Sequence, residues 1–168
     1  MYDFLKKWPL IIVLICVIIP LLHKVGFRIN VTGSMPKGLY FLQFPNGLNR
    51  DAFVTVKLPK EQLLLGIQRQ YIESEDTVLL KRLIALPGDN VIVCGSQIIV
   101  NGISTYQTPR FTRDKHNREM NPVKDAIYLC GKNDYWVLGM DDLSWDSRYF
   151  GPVEIENISN SVRQILAF

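Results

Sequence analysis

Two residues in this chain have the chemistry of acyl transfer if the fold brings them together: Ser34 and Lys81. A serine hydroxyl is a poor nucleophile until a neighbouring base takes its proton, and a lysine amine serves as that base once it is neutral. Free lysine titrates near pH 10.4, so such a site must disfavour the charged form, chiefly by burial among apolar groups. Lys81 stands among Leu79, Leu80, Leu83, Ile84 and Leu86, the kind of run that supplies an apolar pocket. If that run is a strand, Arg82 faces the other way and stays solvated. Ser34 follows Gly33 and precedes Met35 and Pro36. Glycine permits a tight backbone and proline biases Met35 toward an extended conformation, which presents the serine on an exposed edge rather than inside a helix. Taken singly, each residue also has a plain reading: a loop serine making a turn hydrogen bond, and a lysine on a half-exposed strand.

Both residues sit in islands of distinctive sequence. The first is TGSMPKGLY (32–40), the second LKRLIALPGD (80–89), and the third SWDSRYFGP (144–152). In order and content these resemble type I signal peptidases, Ser/Lys peptidases that remove leader peptides from exported proteins. The closer resemblance is to the conjugative-transfer TraF-type pilin peptidases, through Ser-Met-Pro-x-Gly-Leu-Tyr and Asp-Ser-Arg-Tyr-Phe-Gly-Pro.

The resemblance implies that Ser34 is the nucleophile and Lys81 the general base of an acyl-enzyme mechanism. It gives the oxyanion to the Ser34 backbone N–H and the Thr32 hydroxyl, although Thr32 also fits as a β-branched strand residue. Met35 and Pro36 would line the substrate cleft, with core packing the other reading for Met35. Ser144 would support the lysine amine, and Asp146 and Arg148 would form an ion pair holding the third island in place, with a direct catalytic part the other reading for Asp146 in the pilin-processing branch. One departure stands out: signal peptidases usually place Gly-Asp-Asn and further polar residues before this serine, and here the shorter Gly139–Met140–Asp141–Asp142–Leu143 intervenes. The implied partner is a precursor with a leader peptide, propilin-like, carrying small residues at the first and third positions before the cut. General secretory precursors and a cyclised pilin product remain open, as does a non-enzymatic secretion-complex adaptor. Ser34 and Lys37 also match an S-x-x-K motif, but that motif needs a helix, which Pro36 and Gly38 disfavour.

The elements that must position these residues follow from patterning. Residues 8–22 (WPLIIVLICVIIPLL) carry no charge, with Lys6 and Lys7 before them and His23, Lys24 and Arg28 after. A membrane-spanning helix needs about 20 mostly apolar residues, and flanking residues extend this run. No small-residue cleavage site follows, so 1–27 reads as an uncleaved membrane anchor in contact with lipid. Its lysine pair favours a cytoplasmic N-terminus, and the family resemblance implies a bacterial inner membrane with the catalytic domain in the periplasm.

Residues 28–168 read as a mainly β domain, signal-peptidase-like by resemblance, with a small β insertion at about 92–136. Short β-prone runs fall at 29–31, 38–44, 51–58, 77–86, 91–93, 97–100, 126–129, 134–138, 153–155 and 163–168, separated by turn signals such as Asn101–Gly102. One short helix is expected after Pro59. The polar stretch 105–124 is expected to be a long exposed loop. Cys94 and Cys130 fit either one disulfide or two free thiols. A net charge of +3 without a basic block gives no support for nucleic acid; two histidines, and cysteines without zinc-site spacing, argue against a metal centre, and no cofactor is expected.

Overall fold

The structure, a computed structural model, describes residues 2–168; within the first helix, side chains are described at 12, 13 and from 16 onward. That helix, α1 (Tyr2–Val25), carries the apolar run and ends on His23 and Lys24. Among the described residues no helix is long and apolar enough to cross a membrane. The run expected to do so includes positions 8–11, 14 and 15, whose side chains lie outside the described ones. Those that are described, including Ile12, Val13, Val17, Ile19 and Leu21, are exposed.

The body is mainly β. The strands of the larger sheet are β1 (Phe27–Asn30), β2 (Gly38–Gln43), β3 (Phe53–Val56), β4 (Leu79–Ala85), β9 (Asp134–Leu138), β10 (Val153–Glu154) and β11 (Ile158–Ala167). They are ordered β1-β2-β11-β3-β4-β9-β10, and every pairing is antiparallel. A smaller sheet takes β5 (Asn90–Cys94), β6 (Gln97–Val100), β7 (Ser104–Gln107) and β8 (Ala126–Leu129) in the order β7-β6-β5-β8. The helix expected after Pro59 is α2 (Lys60–Gln68), and a second short helix, α3 (Ser147–Phe150), lies inside the third island.

Two apolar cores meet at β4. Leu83 packs with Val54, Val56 and Val137, while Ile84 and Ala85 pack with Val91, Val93 and Trp136. Three consecutive buried residues break the alternation of a half-buried strand. A register shift against β9 between Leu83 and Ala85 allows it.

The Leu-Pro-Gly-Asp turn of the second island is the joint between the sheets. Gly88 takes φ +86°, a conformation that costs glycine little. Asp89 accepts from the Leu86 N–H (2.7 Å), Arg50 (2.9 Å) and Asn101 (2.7 Å), and its carbonyl accepts from the Cys130 N–H.

Three expectations need correcting. Residues 105–107 belong to β7, so the polar stretch begins as a strand. Its remainder is not simply exposed, because the Asp114 side chain is only 4% accessible and bonded to Tyr71 and Arg118. The last strand starts at Ile158, earlier than patterning suggested, because a long strand can pair on both sides, with β2 and β3. Of the two readings for Cys94 and Cys130, the structure has the free thiols. Register explains it: Asn90 pairs with Leu129 and Val93 with Ala126, which puts the two cysteines at opposite ends of β5 and β8. Burial pushes the Cys130 thiol up to about 11.

Candidate active site

Lys81 is the third residue of β4, opposite Val54 of β3. On its other side β9 pairs with β4 only from Arg82 onward, so the loop after β9 covers the lysine instead of a strand. The side chain is 3% exposed. Its amine donates to Ser144 Oγ at 2.6 Å. Burial pulls this amine down to about 8, a fall that Asp146 and Asp141 oppose and Arg148 assists. At pH 7 a group titrating near 8 is about one-tenth neutral, against roughly one part in a few thousand for a free lysine. Arg82 points outward, pairing with Asp51 at 2.6 Å and lying over the Tyr106 ring.

Ser34 lies in the turn between β1 and β2 and is half-buried. Its hydroxyl is 3.3 Å from Thr32 Oγ1, which sits 2.7 Å from Asn30 Oδ1. The Asn30 carbonyl oxygen can only accept, so Thr32 spends its proton there and Ser34 donates to Thr32. Asn30 Nδ2 also donates to the carbonyls of Met35 (3.1 Å) and Pro36 (3.0 Å), fixing the turn's shape.

The loop after β9 ties the two halves together. The Met140 N–H donates to the Ser34 carbonyl at 2.6 Å. A Cβ on Gly139 would fall 2.0 Å from Ser144 Oγ and 3.1 Å from the Ser34 carbonyl oxygen, so glycine is required by close approach. Asp146 and Arg148, both fully buried, pair at 2.7 Å and brace this loop. Asp146 also accepts from the Gly139 N–H (2.8 Å) and caps α3 through the Arg148 N–H. The guanidinium donates to both Asp146 oxygens and to the carbonyls of Asp141, Asp142, Ser144 and Pro109. A buried ion pair is tolerable only when its remaining donors and acceptors are satisfied in this way.

Ser34, Thr32, Lys81 and Ser144 therefore line one cavity of about 820 Å³. No hydrogen bond joins Ser34 to Lys81 among the described residues. Met35 and Pro36 are not on the cavity wall: Met35 is 2% exposed within the core, and the Pro36 carbonyl accepts from Tyr40 at 2.6 Å. Lys37 is exposed on non-helical backbone, unlike the lysine of an S-x-x-K helix. Sequence reasoning missed Asn30 and Gly139; an Asn two residues before Thr32 was the available sign of a side-chain-stapled turn.

The family model described as signal peptidase, peptidase S26, matches residues 3–167. The chain belongs to that family and is a peptidase of its type. Among curated relatives, two proteins named plasmid transfer protein TraF from Escherichia coli are 26% and 28% identical, each match covering 87% of this chain and 86% or 85% of the relative. A probable conjugal transfer protein TraF from Sinorhizobium fredii is 28% identical over 85% of this chain and 78% of its own length. A crystal structure of a signal peptidase I from Enterococcus faecalis covers 69% of this chain and 97% of that chain, at 23% identity and a TM-score of 0.42; the family assignment does not rest on it.

Proposed function

We propose that this chain is a membrane-anchored serine endopeptidase that removes the leader peptide from an exported precursor, with Ser34 as nucleophile and Lys81 as general base. The observation that carries this is the Lys81 amine, buried, lowered to about 8 and fixed on Ser144, in the same cavity as Ser34. In the reaction the Ser34 hydroxyl leaves Thr32, gives its proton to Lys81 and attacks the scissile carbonyl. The Ser34 N–H and the Thr32 hydroxyl, once turned from Asn30, hold the oxyanion. The lysine ammonium then protonates the leaving amine, and water resolves the acyl-enzyme with Lys81 again as base. Ser144 holds the amine, and the Asp146–Arg148 pair holds Ser144's loop.

The TraF names of the relatives support a conjugative pilin or another subunit of a type IV secretion apparatus as the precursor. We place α1 in the bacterial inner membrane with residues 28–168 in the periplasm and the second sheet as an insertion. At about 1.5 Å per residue a 24-residue helix reaches roughly 36 Å, which exceeds the hydrocarbon core.

Co-expression with a propilin tests the mechanism: Ser34→Ala and Lys81→Ala should each abolish cleavage. Cleavage surviving both changes would sink it, and activity dependent on Lys37 instead would restore the S-x-x-K alternative. Mass spectrometry of the product distinguishes hydrolysis from attack by the substrate's own amine, since a cyclic product is one water lighter than the linear chain.

A further inference from the structure

The catalytic cavity has a second wall that the proposed chemistry does not use. Phe111 and Met120 come from the segment between β7 and β8, Tyr71 from the turn after α2, and Leu143 and Trp145 flank Ser144. These side chains are aromatic or long and apolar. Tyr71 and Trp145 meet at 5.3 Å, and Trp145 stacks on Tyr149 at 5.4 Å. A cavity of about 820 Å³ is the size of a site for a substantial ligand, far more than two small side chains at the first and third positions before a scissile bond need.

This wall is built rather than incidental. Asp114 accepts from the Tyr71 hydroxyl (2.6 Å), Arg118 Nε (2.7 Å) and the N–H groups of His116 (2.8 Å) and Arg118 (2.9 Å). Arg118 also donates to the Arg69 carbonyl (2.8 Å), and Arg69 to the Glu119 carbonyl (2.5 Å). The Phe111 N–H is held by the Tyr149 hydroxyl at 3.1 Å, and the Val123 N–H by the Arg148 carbonyl at 2.8 Å. A connecting segment with one isolated strand bridge, Arg113 to Glu119, is thus fastened at both ends and in the middle. Phe111 is nonetheless 39% exposed and Leu143 64% exposed, leaving apolar area open beside the nucleophile.

We propose that this wall is a specificity subsite for one bulky uncharged side chain, aromatic or long aliphatic, of the precursor. The inference rests on the peptidase reading above. Its occupant is the precursor because the wall is continuous with Ser34 and Lys81, so a chain laid across the nucleophile runs along it. The side chain is uncharged because the charged residues of the cavity, Arg28, Lys81 and Lys115 against Glu73, Asp114 and Asp141, offer no single sign to match.

The test is a series of internally quenched peptides cut by the full-length enzyme in detergent micelles, with Leu, Phe or Ala scanned through the residues around the cut. One position should favour Leu or Phe over Ala by about tenfold or more in kcat/KM. Phe111→Ala and Met120→Ala should remove most of that preference, with circular dichroism and thermal unfolding showing that both variants are folded. No position preferring a bulky residue, or a preference that survives both variants, overturns the subsite. Cleavage that persists in Ser34→Ala overturns the peptidase reading itself, which separates the two failures.

Discussion

Lys81→Met keeps an unbranched side chain of similar length in a pocket that is 3% exposed and deletes only the amine. The amine falls from its ordinary 10.5 to about 8, with burial the leading cause; a shift of that size corresponds to about 3 kcal/mol. Because the folded-state value is the lower one, the unfolded chain holds this proton more tightly. Between pH 8 and 10.5 the unfolded chain is protonated at Lys81 and the folded chain is not, so stability rises with pH across that window. Below pH 8 the whole penalty is present. Methionine removes it and forfeits the hydrogen bond to Ser144, worth about 1 kcal/mol. The variant should therefore be more stable than wild type at pH 7 by about 2 kcal/mol, or roughly 4–8 °C in Tm for a chain of this size, and inactive. The advantage should shrink as pH rises and vanish near pH 10. Thermal or denaturant unfolding of both proteins in detergent, from pH 6 to 10, reads this directly. A variant less stable than wild type at pH 7, or a difference that does not change with pH, would refute the claim that burial strains this amine. Catalysis must titrate with the same group: kcat/KM should climb about tenfold per unit up to pH 8 and level above it. A profile still climbing past pH 9.5 would mean the base is not this buried amine.

Two further substitutions probe the frame around the amine. Gly139→Ala drives a methyl to 2.0 Å from Ser144 Oγ and should cost about 1–3 kcal/mol of stability with at least a tenfold loss of kcat; a fully active variant would show that the Ser144 contact is dispensable. Arg148→Met leaves the fully buried Asp146 carboxylate unpaired and should destabilise by about 3–5 kcal/mol in denaturant unfolding. Arg148→Lys should recover little of that, because one ammonium cannot reproduce the two-pronged contact or reach four carbonyls; recovery to wild-type stability would count against the bracing role.

What could be read from the sequence was whatever depends on neighbours in the chain. Asn101–Gly102 does form a turn with both residues at positive φ, and Pro59 does precede a helix, because turn and cap chemistry act over a few residues. Asp146 and Arg148 are two positions apart and make their ion pair through α3's cap. Gly139 was opaque for the opposite reason. Its φ carries no strain, and its need for a hydrogen in place of Cβ comes from Ser34 and Ser144, which only the fold brings near. Asp114 misled for the same cause: in the chain it is one charge in a polar stretch, and Tyr71 from another element is what buries it. Met35 was pulled toward the cleft by its place beside Ser34, yet the turn that exposes the serine rotates the next residue into the core.

That β4 outruns β9 at Lys81 gives the arrangement its logic. Had β9 continued alongside, a neighbouring strand would have paired the backbone of residues 79–81 and filled the space above the amine with its own side chains, leaving no room for a peptide. Had the strand stopped with nothing in its place, water would have reached the amine and restored its ordinary titration. The loop at 139–146 takes the intermediate course: it excludes water from Lys81 while supplying one hydroxyl, Ser144, and leaving the cavity open toward Ser34. An irregular loop can do this only if its backbone polar groups find partners. That requirement explains why a fully buried arginine is spent on four carbonyls and why its carboxylate partner also holds the Gly139 N–H. The ion pair thus braces the loop that keeps water from the Lys81 amine, and the lowering of that amine should fail wherever the Arg148 fork fails, even in variants that leave Ser34, Lys81 and Ser144 untouched.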